Sequence, residues 1–98
     1  MSDLDSWRKQ KISELLNELN SQFAGTDIVR LQKLEALAEE AYDLMYDAEH
    51  PSYFYFIAKD ALDDAALLAR TLGKEDDAKR LWQRRLHIKG VFRSQFSD

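Results

Sequence analysis

Apolar residues recur along this chain at steps of three and four, the spacing that gathers them on one side of an α-helix, and four stretches carry the pattern in turn. The first runs from Asp3 to about Gln22, with Leu4, Trp7, Ile12, Leu15, Leu16, Leu19 and Phe23 as apolar positions and Ser2 or Asp3 as its cap. Gly25 stops it, and Thr26 or Asp27 caps the second stretch. That stretch, about Asp27 to Ala48, aligns Leu31, Leu34, Leu37, Ala38, Ala41, Leu44, Met45 and Ala48, with Glu35, Glu39, Glu40, Asp43 and Asp47 opposite. His50-Pro51-Ser52 then breaks the chain, because proline disfavours helical geometry in the residue before it and suits the first turn of a new helix. The third stretch reaches Leu72, buries Phe54, Tyr55, Ala58, Ala61, Leu62, Ala65, Leu68, Ala69 and Leu72, and is closed by Gly73. The fourth, Glu75 to about Lys89, has Ala78, Leu81, Trp82, Leu86 and Ile88 as its apolar positions. Gly90 either ends it or bends it towards Phe92 and Phe96, and both outcomes stay open. Connections this short make each helix antiparallel to its predecessor, so the expected fold is all-α: four antiparallel helices in an up-down bundle or a helical array.

Composition agrees and narrows the class. Three glycines and one proline in 98 residues leave few turns, and a chain that is 45% hydrophobic and 33% charged suits one folded domain over residues 1–98. The longest apolar run, Tyr53 to Ala58, is far too short to span a membrane, and an acidic N-terminus without an apolar segment argues against a secretion signal, so the expected location is cytoplasmic. The absence of cysteine removes disulfides and thiolate chemistry.

Charge changes the picture more. Residues 1–77 carry eight Lys/Arg against seventeen Asp/Glu, whereas residues 78–97 carry six Lys/Arg and no acid, within a chain of net charge −4. A basic terminal helix on an acidic body either closes its field on that body or offers it to a partner. The acid row Glu35, Glu39, Asp43 and Asp47 stands at four-residue spacing, where like charges repel by a few tenths of a kcal/mol per pair, roughly, and the basic fourth helix packed alongside would relieve it.

Leu62, Ala65, Ala66, Ala69, Gly73, Ala78, Trp82 and Leu86 fall at the small and large positions of a helical hairpin, and the stretch of about residues 59–92 that holds them resembles a tetratricopeptide repeat. The resemblance implies that Ala66 and Ala78 let two helices approach closely, that Trp82 fills space between hairpins, and that the chain is a scaffold for a peptide or helix of another protein. Arg85 stands where the family usually has alanine, and no second repeat appears one period earlier.

Arg85 lies on the apolar arc of the fourth helix among Ala78, Leu81, Trp82 and Phe92, with Lys89 beside it. Either it pairs with a carboxylate of the third helix such as Asp60 or Asp64, or it lines a groove that meets an acidic partner. Phe56 and Leu67 fall opposite the main arc of the third helix, near Tyr53 and among Asp60, Asp63 and Asp64, where they would form part of a partner or self-association patch. The expected function is therefore a small non-enzymatic interaction module, an adaptor, chaperone-like partner or inhibitor, binding another protein or a second copy through Tyr53, Phe56, Leu67, Trp82, Arg85 and Lys89. The alternative is a nucleic-acid-associated regulator using Lys79, Arg80, Arg84, Arg85, Lys89 and Arg93, a use that the acidic body disfavours. No cofactor is expected. His50 follows Asp47 and His87 follows Arg84 at three residues, so neither makes the Glu-x-x-His pair of a carboxylate metal centre, and the serines have no local base for nucleophilic catalysis.

Overall fold

The computed structural model describes residues 4–20 and 26–96. Among these residues lie four helices and no strand: α1 (Ser6–Asn20), α2 (Asp27–Met45), α3 (Pro51–Thr71) and α4 (Glu75–Gln95). The expected cap at Ser2 or Asp3 and the apolar and stop positions Phe23 and Gly25 lie outside the described residues.

The local signals act as their chemistry requires. The Thr26 hydroxyl accepts the Val29 N–H at 3.4 Å and caps α2. Pro51 takes the first position of α3, where its missing N–H would have had no partner. Gly73 adopts φ +77°, and the bonds Gly73 N–H to Arg70 C=O (3.0 Å) and Lys74 N–H to Ala69 C=O (2.8 Å) form a Schellman end on α3. Helix α2 stops at Met45, three residues short of the expected Ala48, and tighter bonds from Tyr46 to Asp43 and from Ala48 to Met45 lead into the corner.

Helix α3 is central. Its alanines Ala58, Ala61, Ala65 and Ala69 are buried and small, so α2 and α4 both approach closely, while Phe54 and Leu62 fill the space between with no exposed surface. Paired residues fix the directions. Lys11 and Leu19 of α1 meet Glu40 and Arg30 of α2 in reverse order, Tyr55 and Asp63 of α3 meet Phe92 and Arg85 of α4 in reverse order, and Glu35 and Glu39 of α2 meet Arg80 and Arg84 of α4 in the same order. Successive helices therefore run antiparallel, and α4 runs parallel to α2. The Cα framework measures 45 × 32 × 13 Å. A helix of about 21 residues is about 32 Å long, and two packed layers of Cα atoms are about 13 Å thick, so the 45 Å dimension shows helices laid side by side in a flattened bundle.

One further expectation needs correction. On α1 only Ile12 and Leu19 are buried, whereas Trp7 and Leu16, and Leu4 just before the helix, are exposed, because α1 is an outer helix with neighbours on one side only. The end of α4, left open by the sequence, passes through Gly90 to Gln95. A glycine inside a helix costs about 0.5–1 kcal/mol. Burial of Ile88 before it and the stacking of Phe92 on Tyr55 after it outweigh that cost.

Candidate interaction surface

At about 100° per residue, the basic residues of α4 sort onto different edges of the helix. Arg80 and Arg84 point towards α2. Arg84 grips Glu39 with two bonds, Nε to Oε2 at 2.8 Å and Nη2 to Oε1 at 2.6 Å, and Arg80 holds both oxygens of Glu35 in the same forked manner. Hydrogen bonding to Glu35 and Glu39 pushes the pKa of both guanidiniums up, against the opposing effect of burial. The Arg84 guanidinium also lies 4.9 Å from the Tyr42 ring centre. Burial, followed by the 2.7 Å hydrogen bond to Tyr46, pushes the Tyr42 hydroxyl up to about 12. Half of the repelling acid row, Glu35 and Glu39, is thus neutralised by the basic helix beside it, and Asp43 and Asp47 face solvent.

Arg85 takes the edge facing α3. Its Nε stands 2.5 Å from Asp63 Oδ1, an ion pair by distance, yet the N–H is not aimed along that line and Nε makes no hydrogen bond. It is a charge contact without the directional bond. The partner is Asp63, and the expected Asp60 and Asp64 lie further round α3. The Arg85 guanidinium is stacked 4.9 Å from the Trp82 ring centre.

The remaining edge of α4 faces solvent. Trp82 and Leu86 are about half exposed there, and Lys79, Lys89 and Arg93 lie on the same side without an ion-pair partner among the described residues. Beside this edge runs the outer strip of α3, where Phe56, Asp60, Asp63 and Leu67 follow one another at four, three and four residues. Phe56 is 54% exposed and Leu67 66%, high for large apolar side chains that share one face. Leu67 and Trp82 meet across a cleft of about 170 Å³ that Asp63, Ala66 and Arg70 complete.

Of the six residues expected to contact a partner, the fold brings Leu67, Trp82 and Arg85 together, places Phe56 on the same strip of α3 and sets Lys89 one turn beyond Arg85. Tyr53 stands apart. It turns towards α1, where Lys9 Nζ lies 5.0 Å from its ring centre. A second cleft of about 230 Å³ opens between α1, α2 and α3 over Leu16, Leu34, Leu37 and Ile57, and it ends at Asn20, where the described residues stop. Sequence reasoning also missed Asp5. This carboxylate has no exposed surface and accepts the Glu49 and His50 N–H groups at 2.8 and 2.9 Å, fastening the start of α1 to the α2–α3 corner. An Asp-Ser-Trp sequence carries no local signal of a bond 44 residues away.

No model of a known protein family matches this chain, and neither a curated protein nor a solved structure matches it.

Proposed function

We propose that the chain is a non-enzymatic protein–protein interaction module, an adaptor, chaperone-like partner or inhibitor, and that it docks a partner helix or peptide on the outer face of α3 and α4. One observation carries the reading: Trp82 stands half exposed over a cleft with Leu67, its ring held by Arg85, while Arg80 and Arg84 on the same helix are spent on Glu35 and Glu39. A tryptophan and an arginine at the centre of an apolar patch are the residue types that dominate binding energy at protein interfaces. The tetratricopeptide-like stretch adds an analogy to peptide-binding scaffolds, since its hairpin is the one that builds this face. Nucleic acid is the less favoured occupant. Among the described residues the cations around this face without an ion-pair partner are Arg70, Lys79, Lys89 and Arg93, and they stand beside a body with a large acidic excess that disfavours phosphate.

The test is a photo-crosslinking p-benzoylphenylalanine in place of Phe56, irradiated in native extract. A protein adduct that is lost on Trp82→Ala or Leu67→Ala supports the reading. Adducts to nucleic acid, lost steeply as salt rises, would replace it with the alternative, and adducts that ignore both substitutions would refute it.

A further inference from the structure

Charge does not cancel over the outer α3–α4 face. Lys59 stands 3.4 Å from Asp60 and 3.9 Å from Asp63, and Asp63 also meets Arg85, so the two carboxylates of this strip are compensated within the face by two cations. Asp60 also lines the cleft between α1, α2 and α3, away from α4. Arg70 on α3 and Lys79, Lys89 and Arg93 on α4 then stand without an ion-pair partner among the described residues. Glu75 is the acid on this edge of α4, and it lies in the first turn, where the helix N-terminus itself holds a negative charge. Arg70 and Arg93 lie in the last turns of their helices and gain from the opposite pole, but Lys79 and Lys89 stand inside α4, where no helix C-terminus accounts for them. A chain of net charge −4 thus carries a local positive surplus on this face.

The surplus has a pattern. Tyr55 with Phe92, Asp63 with Arg85 and Leu67 with Trp82 set the level of the two helices, and the same antiparallel register brings Arg70 level with Lys79. Those two cations close one end of the face, and Lys89 and Arg93, beside Phe56, close the other. Trp82, Leu86 and Leu67 occupy the middle, over the cleft of about 170 Å³ that can receive an apolar anchor. Along α4 the cations are about 15 Å apart from Lys79 to Lys89 and about 21 Å apart from Lys79 to Arg93, at about 1.5 Å per residue. A matching occupant is apolar in the middle and carries carboxylates at both ends, which a helix of about 10–14 residues achieves with apolar positions at i, i+3, i+4 and i+7 between them. A phosphodiester strand fits worse. It lays charge over Trp82 and Leu86 as well, and it runs on over a body in which residues 1–77 carry seventeen Asp/Glu against eight Lys/Arg. A segment whose charge stops at the ends of the face leaves most of that acid beyond a Debye length, about 8–10 Å.

We infer that the partner of this face presents an acidic amphipathic segment, whose carboxylates meet Arg70 and Lys79 at one end and Lys89 and Arg93 at the other. The inference rests on the docking face proposed above and names the chemistry of its occupant.

Selection of a random peptide library of about 16 residues, slightly longer than the span of the cations, on the immobilised full chain tests it. The enriched peptides should carry Asp or Glu at both ends and apolar residues at helical spacing between them. By fluorescence anisotropy each should bind the wild type with Kd below about 1 mM, lose roughly tenfold in affinity for Lys79→Glu and for Lys89→Glu, and keep its affinity for Lys33→Glu, which makes the same change of net charge on α2. Glutamine in place of the end carboxylates should weaken the peptides as much, a change that leaves the protein untouched. No enrichment, enriched peptides without an acidic surplus, or affinities indifferent to both lysines would each overturn the inference. So would displacement of the peptides by a single-stranded oligonucleotide or by added chain at lower concentration than by free peptide, which would give the face to nucleic acid or to a second copy. If acidic peptides fail yet Phe56 still crosslinks to a protein in a Trp82-dependent manner, the acidic segment is excluded and the docking face stands; loss of both removes both.

Discussion

Replacing Asp5 by alanine should release α1 while leaving α2 to α4 folded. The carboxylate is fully buried and accepts two backbone N–H groups at 2.8 and 2.9 Å, with Arg8 Nη1 at 3.3 Å from the same Oδ1 that takes the Glu49 bond. A hydrogen bond to a charged acceptor contributes about 1.5–3 kcal/mol, and water replaces part of it at the corner, so Asp5→Ala should remove about 2–4 kcal/mol in all. Against this, α1 is held by the burial of Ile12 and Leu19, worth about 3–6 kcal/mol before the ordering of its fifteen residues is subtracted. The lost bonds are therefore as large as the net attachment of the helix. Hydrogen exchange followed residue by residue should show protection in α1 and at Glu49 and His50 falling by a factor of about 30–1,000, with α3 amides changing far less. Asp5→Asn keeps one acceptor oxygen and should fall between. Protection of α1 within threefold of the wild type in Asp5→Ala would refute the reasoning.

Gly90→Ala should stabilise the chain by about 0.5–1 kcal/mol, because the position is helical and a methyl group there meets no atom within 4 Å; Gly73→Ala, at φ +77°, should destabilise by about 1 kcal/mol, and thermal melts of the two should move in opposite directions. The Tyr42 hydroxyl, up at about 12 from an ordinary value of 10, is protonated in the folded chain where the unfolded chain has lost the proton. Its contribution is therefore complete below pH 10 and disappears as pH rises towards 12, by roughly 2 kcal/mol. In denaturant titrations the wild type should lose about that amount relative to Tyr42→Phe between pH 10 and 12, and parallel curves would show that burial does not perturb the hydroxyl.

Where the deciding forces are local, the sequence carries them plainly. Thr26, Pro51 and Gly73 each fix a helix end by chemistry within three or four residues, and the arcs of α2 and α3 are broad because those helices have neighbours on more than one side. Apart from the early end of α2, the misses are non-local. The first apolar arc cannot announce that Leu4, Trp7 and Leu16 will stay largely exposed. Whether Gly90 ends α4 depends on a stacking partner, Tyr55, in another helix. Arg85 was readable as a cation on an apolar arc, but the choice of Asp63 over Asp60 or Asp64 depends on the level at which α3 and α4 pack. For the candidate face, Phe56 and Leu67 were legible as outward residues and Trp82 as a large one, whereas the departure of Tyr53 towards α1 required the course of a third helix.

On the proposed reading, α4 has one edge that holds the fold and another that meets a partner. The pair Arg84→Ala and Leu67→Ala, each carrying the crosslinker at position 56, tests that division most directly. Arg84→Ala breaks a forked, partly exposed ion pair and should lower stability by about 1 kcal/mol, a shift of about 4–8 °C in Tm, with adduct yield unchanged. Leu67→Ala trims a side chain that is 66% exposed and should leave Tm nearly unmoved while abolishing the adduct. Loss of the adduct in Arg84→Ala together with its survival in Leu67→Ala would contradict the account.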